Sequence, residues 1–128
     1  MSATLLERVK THIDAASLNA GYAVRYFRWT DAYVAGSTPF ILYRQSGSGA
    51  SDILLQDTRV SIILVGTPTT VVATDTRAQE ILRYVRGSTV STEGAVRFDP
   101  VGTVMGPMYL ENGRPMFEVT VRVLTEDQ

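Results

Sequence analysis

Apolar residues near the N-terminus recur with the period of an α-helix. They are separated by four, four and three residues, with mostly polar positions between them: Leu5, Val9, Ile13 and Ala16. This spacing places the four side chains on one face and predicts an amphipathic helix over residues 3–18. Thr4 and Glu7 have the spacing of a capping box at its start, and Gly21 provides a stop just beyond its end.

A second stretch with helical spacing lies in the middle of the chain. It predicts a helix over residues 72–86, with an apolar stripe formed by Ala78, Ile81, Leu82 and Val85. Thr76 and Gln79 have the spacing of a capping box, which would start this helix late, and Gly87 would end it.

Three β-rich stretches separate the two helices. Residues 22–29, 40–45 and 55–66 are rich in the aromatic and β-branched side chains that favour strands. Residues 30–39 contain glycine, serine and proline and form a connection. Residues 46–51, Ser-Gly-Ser-Gly-Ala-Ser, have the most flexible composition in the chain and predict a mobile hairpin tip.

The C-terminal third is again β. Residues 95–98 and 103–110 predict two pieces of strand, separated by a proline and a glycine. Asn112-Gly113 predicts a two-residue type I′ hairpin turn, because this pair accepts positive φ angles. Apolar and polar residues then alternate over residues 117–123, which predicts a strand with one buried face.

The resulting element order is α-β-β-β-α-β-β. Helices interspersed with hairpins indicate an α+β fold. We expect a mainly antiparallel sheet of four to five strands with both helices on one face. The length of 128 residues suits a single domain spanning residues 1–128.

Composition excludes several classes of site. The chain has no cysteine and a single histidine, His12, which excludes disulfides, a thiolate zinc site, a cysteine nucleophile and a multi-histidine metal site. The position of His12, at the edge of the first apolar stripe, favours a boundary core residue over a ligand. Twelve basic against thirteen acidic residues leave no basic excess for binding duplex DNA. No apolar run is long enough for a membrane helix, and the N-terminus lacks a hydrophobic signal region, as in soluble intracellular proteins.

No motif indicates catalysis. The chain has no Gly-x-Ser-x-Gly nucleophile elbow and no calcium-loop spacing. Residues 46–51 are glycine-rich like a phosphate loop, but Asp52 follows them, where a phosphate site needs a helix N-terminus. We therefore expect a non-enzyme with no catalytic residues, no metal and no cofactor.

The chain resembles the tail terminator, or tail completion, proteins of long-tailed, lambda-like (siphovirus) bacteriophages. Three stretches underlie the resemblance: the N-terminal helix that ends near a Gly-Tyr strand, residues 47–66, and residues 111–124. None is a signature motif, and the likeness lies in pattern, length and element order. It implies a structural virion protein without catalytic or cofactor residues.

The resemblance also implies partners and a location. Such proteins form a homo-oligomeric, hexameric ring on the end of the tail tube, where the ring stops polymerisation of the tail tube protein and presents a surface to the head–tail connector or neck protein. Genomic DNA passes through the lumen without specific binding. The expected location is the head-proximal end of the virion tail, after assembly in the host cytoplasm and without a membrane.

Ring closure requires two different contact patches on each subunit. Aromatic residues and arginine are enriched in interfaces, and a mobile Gly/Ser segment can become ordered on binding. These criteria select the candidate subunit or tube contacts Arg28, Trp29, Tyr33, Arg44, Ser46, Gly47, Ser48, Gly49 and Ser51.

Two other functions remain open at this point. A neck or head-completion protein of a phage would share the size and the ring. A small phosphate-handling enzyme of ferredoxin-like fold could use an arginine such as Arg25 to bind an anion, although that fold requires the order β-α-β-β-α-β.

Overall fold

The computed structural model describes residues 5–26, 38–48, 55–87, 96–110 and 112–126. These residues form the predicted order of elements: α1 (Leu5–Asp14), β1 (Ala23–Tyr26), β2 (Phe40–Ser48), β3 (Leu55–Val65), α2 (Val71–Gly87), β4 (Val96–Tyr109) and β5 (Pro115–Glu126). The ferredoxin-like order is not present among them.

The strands form one five-stranded sheet in the order β1-β2-β3-β5-β4. β1 pairs with β2 in parallel, and the other three pairings are antiparallel. The expected mainly antiparallel α+β sheet is therefore confirmed. β1 and β4 are its two edges, and the long strands β3 and β5 lie inside it.

Both helices pack on the same face of the sheet, as expected. α1 contributes Leu6, Val9 and Ile13 to the main core, and α2 contributes the predicted stripe. The sheet meets them with side chains that alternate along its strands, including Val60, Ile62, Leu64, Val119, Val121 and Val123. Complete burial of such a side chain stabilises the fold by roughly 1.5–3 kcal/mol.

The opposite face, here called the open sheet face, is apolar at one end only. Phe40, Leu42, Ile63 and Val65 form a second buried cluster there. β3 thus buries Ile62 and Leu64 on one face and Ile63 and Val65 on the other, as the unbroken apolar run of residues 62–65 predicts for a strand covered on both sides. Towards the N-terminal end of β3, the same face becomes polar.

The ends of the helices differ from the sequence prediction. α1 stops at Asp14 instead of continuing to residue 18. Ser17 has a φ of 59°, and the N–H groups of Ser17 and Leu18 donate to the carbonyls of Asp14 and Ile13 at 2.8 and 3.4 Å. This Schellman pattern ends the helix without a glycine. α2 begins at Val71, so the late start predicted from Thr76 and Gln79 is wrong.

Two strands are longer than predicted. β2 continues through Gly47 and Ser48, which pair with Arg59 and Thr58, and Ser46 is the extra residue of a bulge. The hairpin tip therefore does not begin at Ser46, because β3 supplies partners that outweigh the flexible local composition. β4 is one strand instead of two pieces, since two register shifts accommodate its glycines and prolines.

The loop of the last hairpin is longer than the predicted two-residue turn. Leu110 N–H donates to Arg114 O at 2.9 Å, and Gly113 N–H donates to Leu110 O at 2.9 Å. Leu110 and Arg114 therefore close the hairpin, and Gly113 has a φ of 85°. This pattern belongs to a three-residue loop with glycine in the left-handed position, so the two-residue turn is wrong, although Gly113 has the predicted sign of φ.

Candidate functional site

Four of the predicted contact residues lie in β2. Arg44 is exposed on the open sheet face next to Ser61 of β3. Ser46, Gly47 and Ser48 follow in the bulged end of the same strand. The structure therefore brings these four together at one end of the sheet. Arg28, Trp29, Tyr33, Gly49 and Ser51 lie outside the described residues, and their proposed contacts stay predictions.

The register of the inner strands gathers further charge on the open sheet face. Arg59 of β3 is the cross-strand partner of Arg122 of β5, and Arg122 is in turn the partner of Asp99 of β4. In the next row along the strands, Ser61 lies beside Thr120. Sequence spacing did not identify this group, because its members come from three strands and meet only through the pairing.

A depression of about 480 Å³ lies in this part of the face. Its lining includes Arg59, Ser61, Val101, Met105, Glu118 and Thr120. The pairing of β4 with β5 shifts register between Val101 and Met105, and Gly102 within that stretch has a φ of 69°. The shift makes β4 bulge there. We call this feature the sheet-face depression.

The sheet-face depression has one positive and one negative end. Arg59 is exposed and forms no ion pair with any side chain that the structure describes. Glu118 is the cross-strand partner of Ile63, four residues further along β3, which corresponds to about 13 Å. Ser61 between them is fully buried, and its hydroxyl has no hydrogen-bond partner within the described part of the chain. A buried hydroxyl without a partner costs about 1–3 kcal/mol, so a group entering the depression would gain by binding it.

The edge strand β4 exposes large hydrophobic side chains. Met105 and Tyr109 are 58% and 61% exposed, and Met108 lies between them at 39%. An edge strand also presents unpaired backbone groups, and proteins usually cover or interrupt such edges. Methionine and tyrosine are enriched at interface cores. We call these three residues the β4 edge patch.

Two buried polar networks fix this sheet, and sequence reasoning missed both. Tyr43 of β2 is buried and donates its hydroxyl hydrogen bond to Asn19 Oδ1, while Asn19 Nδ2 donates to Lys10 O at 3.2 Å. Burial raises the pKa of the Tyr43 phenol above its ordinary value. Arg114 is buried in the last hairpin, and desolvation lowers the pKa of its guanidinium. These groups hold β2, the end of β3 and the last hairpin in position.

Arg77 joins α2 to the turn that follows α1. Its Nη1 donates to Leu18 O at 2.9 Å and to Ala20 O at 2.7 Å. The same guanidinium lies 5.2 Å from the centre of the Tyr22 ring, within the range of a cation–π contact. Arg77 is therefore a structural residue rather than an anion-binding one.

The part of the chain that the structure describes contains no cluster of three His, Cys, Asp or Glu side chains suited to a metal ion. His12 is buried, with its ring 4.3 Å from that of Phe98 and 5.0 Å from that of Tyr84. This confirms the expectation of a core-boundary histidine. In the described ranges, neither helix is long and apolar enough to span a bilayer.

Comparison with known proteins agrees with the resemblance found in the sequence. A model of the phage tail termination protein family matches residues 2–127. A search of curated proteins gave no match. Because the family match covers nearly the whole chain, this protein belongs to the phage tail termination protein family and is a structural protein of the bacteriophage tail.

Proposed function

We propose that this protein forms a ring on the end of the phage tail tube, stops polymerisation of the tube protein there, and provides the surface to which the head attaches. The single observation that carries this proposal is the match of residues 2–127 to the tail termination family. A hexamer is the ring size that the resemblance implies, and the lambda-like tail type comes from the same resemblance.

The surfaces of the subunit support a ring. A closed ring uses a head-to-tail contact, and each subunit then needs two different patches. The sheet-face depression is concave and carries charged side chains beside an apolar wall, whereas the β4 edge patch is apolar and continues from their shared residue Met105 along the strand edge. Two such unlike surfaces suit contacts with different neighbours, namely the adjacent subunit and the tail tube protein.

The charge balance supports passage of DNA through the ring. The formal net charge is −1, so the subunit as a whole lacks the basic excess that retains duplex DNA through its phosphates. We infer that genomic DNA passes without specific binding. The protein would then occupy the head-proximal end of the virion tail, between the tube and the head–tail connector, after assembly in the host cytoplasm.

Electron microscopy of phage particles made without this protein tests the proposal. Loss of a terminator leaves the tube protein free to continue polymerising, so we expect overlong tails. Loss of a neck or head-completion protein would instead leave tails of normal length lying apart from filled heads. That second result would contradict the proposed function.

A further inference from the structure

We propose that the sheet-face depression of one copy receives the N-terminal part of α2 from a second copy, and that Arg59 there binds the carboxylate of the second copy's Asp75. The inference rests on the proposed function in one respect, because it assigns the contact between adjacent subunits of the ring. The partner is thus another copy of this chain, and the ligand is a side-chain carboxylate.

The positive end of the depression is suited to a carboxylate. Arg59 is exposed and has no intrachain ion pair among the described side chains. Arg122 lies next to it across the strand pair and has Asp99 beside it on β4, so the row Arg59, Arg122 and Asp99 keeps one net positive charge. The unpartnered Ser61 hydroxyl lies in the next row of the same face. A guanidinium and a hydroxyl donor side by side match the acceptor atoms of a carboxylate.

A free phosphate or a DNA backbone fits the whole depression less well. Glu118 places a negative charge at the far end of the depression, and Val101 and Met105 form an apolar wall. A polyanion would gain nothing from the apolar wall and would be repelled by the carboxylate. A protein surface with one acidic side chain beside an apolar residue matches both the positive end and the apolar wall of the depression.

Among the acidic side chains that the structure describes, one is available for this contact. The acidic side chains that the structure describes are Asp14, Asp75, Glu80, Asp99 and Glu118. Asp14 pairs with Lys10 at 3.4 Å, and Glu80 pairs with Arg77 at 3.5 Å. Asp99 has an interaction partner, and Glu118 belongs to the depression itself. Asp75 remains, without an ion pair in the described part of the chain.

An exposed apolar residue accompanies Asp75. Val72 precedes it by three positions on α2, so the two side chains lie on neighbouring parts of the helix surface. Val72 is 78% exposed, the highest value among the exposed large hydrophobic residues of the described chain. Together they present one acid beside one apolar side chain, the combination that the positive end and the apolar wall of the depression can accept.

The positions of the two surfaces make the contact head-to-tail. Arg59 lies on the open sheet face, whereas α2 packs against the opposite face. One copy therefore cannot satisfy its own Arg59 with its own Asp75. When two copies join, one free depression and one free α2 surface remain at the ends, and further copies add until a ring closes.

Site-specific cross-linking on assembled tails tests this contact, because the chain has no cysteine of its own. Thr76→Cys lies beside Asp75 on α2 and Thr103→Cys lies in the depression, and both positions are exposed. Tails are assembled from a mixture of the two single-cysteine proteins, so that only an intermolecular link can join them. A short bis-maleimide is used, since a direct disulfide requires Cα atoms closer than about 7 Å.

We expect a linked 76–103 dimer in this mixture. In the matched control, Arg86→Cys replaces Thr76→Cys at another exposed position of α2, about 15 Å further along the helix, and we expect little product. Arg59→Glu in the Thr103→Cys protein should reduce the 76–103 product by about tenfold or more, because it places like charges together. When the Thr76→Cys protein also carries Asp75→Arg and is mixed with the Thr103→Cys protein that carries Arg59→Glu, the 76–103 product should return.

Two results separate failure of this contact from failure of the proposed function. If tails have normal length and contain the protein but give no 76–103 product, the ring uses other surfaces and the contact is wrong. The same conclusion follows if charge reversal has no effect, or if the double reversal does not restore the product. If the protein is absent from tail ends, that result contradicts the proposed function itself. A 76–103 product that responds to both reversals supports the contact.

Discussion

Arg114 donates a hydrogen bond of 2.8 Å from Nε to the carbonyl oxygen of Gly66. The same guanidinium donates from Nη2 to Thr38 O at 2.7 Å and lies 5.4 Å from the centre of the Phe40 ring. One buried cation therefore joins the last hairpin to the end of β3 and to the chain entering β2. Removal of Arg114 therefore takes the side-chain donor away from both carbonyl oxygens.

We predict that Arg114→Met lowers the free energy of unfolding by about 2–4 kcal/mol. Hydrogen bonds to a charged group contribute more than neutral ones, and their loss leaves the buried Gly66 carbonyl without this donor. Arg44→Met is the matched control, because Arg44 is exposed on the same face, and it should change stability by less than about 0.5 kcal/mol. Urea unfolding of both variants measures the difference. Equal stability of the two variants would contradict the role assigned to Arg114.

Tyr43 gives a prediction for both stability and pH dependence. Tyr43→Phe removes the hydrogen bond to Asn19 and should cost about 1–3 kcal/mol at neutral pH. Burial raises the Tyr43 pKa in the folded protein above the ordinary 10.0. The stability contribution is therefore fully present below pH 10 and is lost as pH rises above it, because the unfolded chain releases its proton first.

Unfolding of wild type and Tyr43→Phe across the alkaline range checks this prediction. The free energy of unfolding of the wild type should fall more steeply above pH 10 than that of the variant. Parallel curves for the two proteins would show that the Tyr43 pKa is not raised by folding.

The core of the sheet gives a third prediction. Ile63 is buried in the second cluster on the open sheet face, so Ile63→Ala should lower stability by about 2–5 kcal/mol through lost transfer energy and a cavity. Val72→Ala removes a similar amount of apolar side chain from an exposed position, and we expect a change of less than about 0.5 kcal/mol. Thermal and urea unfolding compare the two. A small effect at Ile63 would mean that this face is not packed.

Two glycines should respond differently to alanine. Gly113 has a φ of 85°, and a Cβ there would meet its nearest atom at 3.9 Å, so Gly113→Ala should cost about 1 kcal/mol from backbone conformation alone. Gly106 has a φ of 126°, and a Cβ there would lie 2.6 Å from Met116 O. Gly106→Ala should therefore destabilise the protein more than Gly113→Ala does. The reverse order in melting temperature would contradict the local geometry of β4.

The sequence was sufficient to predict the elements whose apolar side chains follow one clear pattern. The stripe of α2 and the two-sided burial of β3 both appear in the apolar pattern and both are present in the fold. Local sequence signals predicted the ends of helices and strands less accurately. A Schellman turn at Ser17 ends α1 before Gly21, and pairing with β3 extends β2 through Gly47 despite its composition.

The candidate site could not be predicted from spacing along the chain. Arg59, Glu118 and Val101 come from three strands, and they share a depression only because β5 lies between β3 and β4. Arg114 likewise gives no local signal, since its acceptors are 48 and 76 residues away. Arginines with long-range partners become interpretable only after the strand order is known.

The central claim is that this protein ends the growth of a tail tube, and tube length in a purified system tests it most directly. Tail tube protein is allowed to polymerise with increasing amounts of this protein, and tube lengths are measured by electron microscopy. Termination predicts shorter tubes as the proportion of this protein rises, with a ring on the end of each stopped tube. An unchanged length distribution at every ratio, with no added density at tube ends, would contradict the claim.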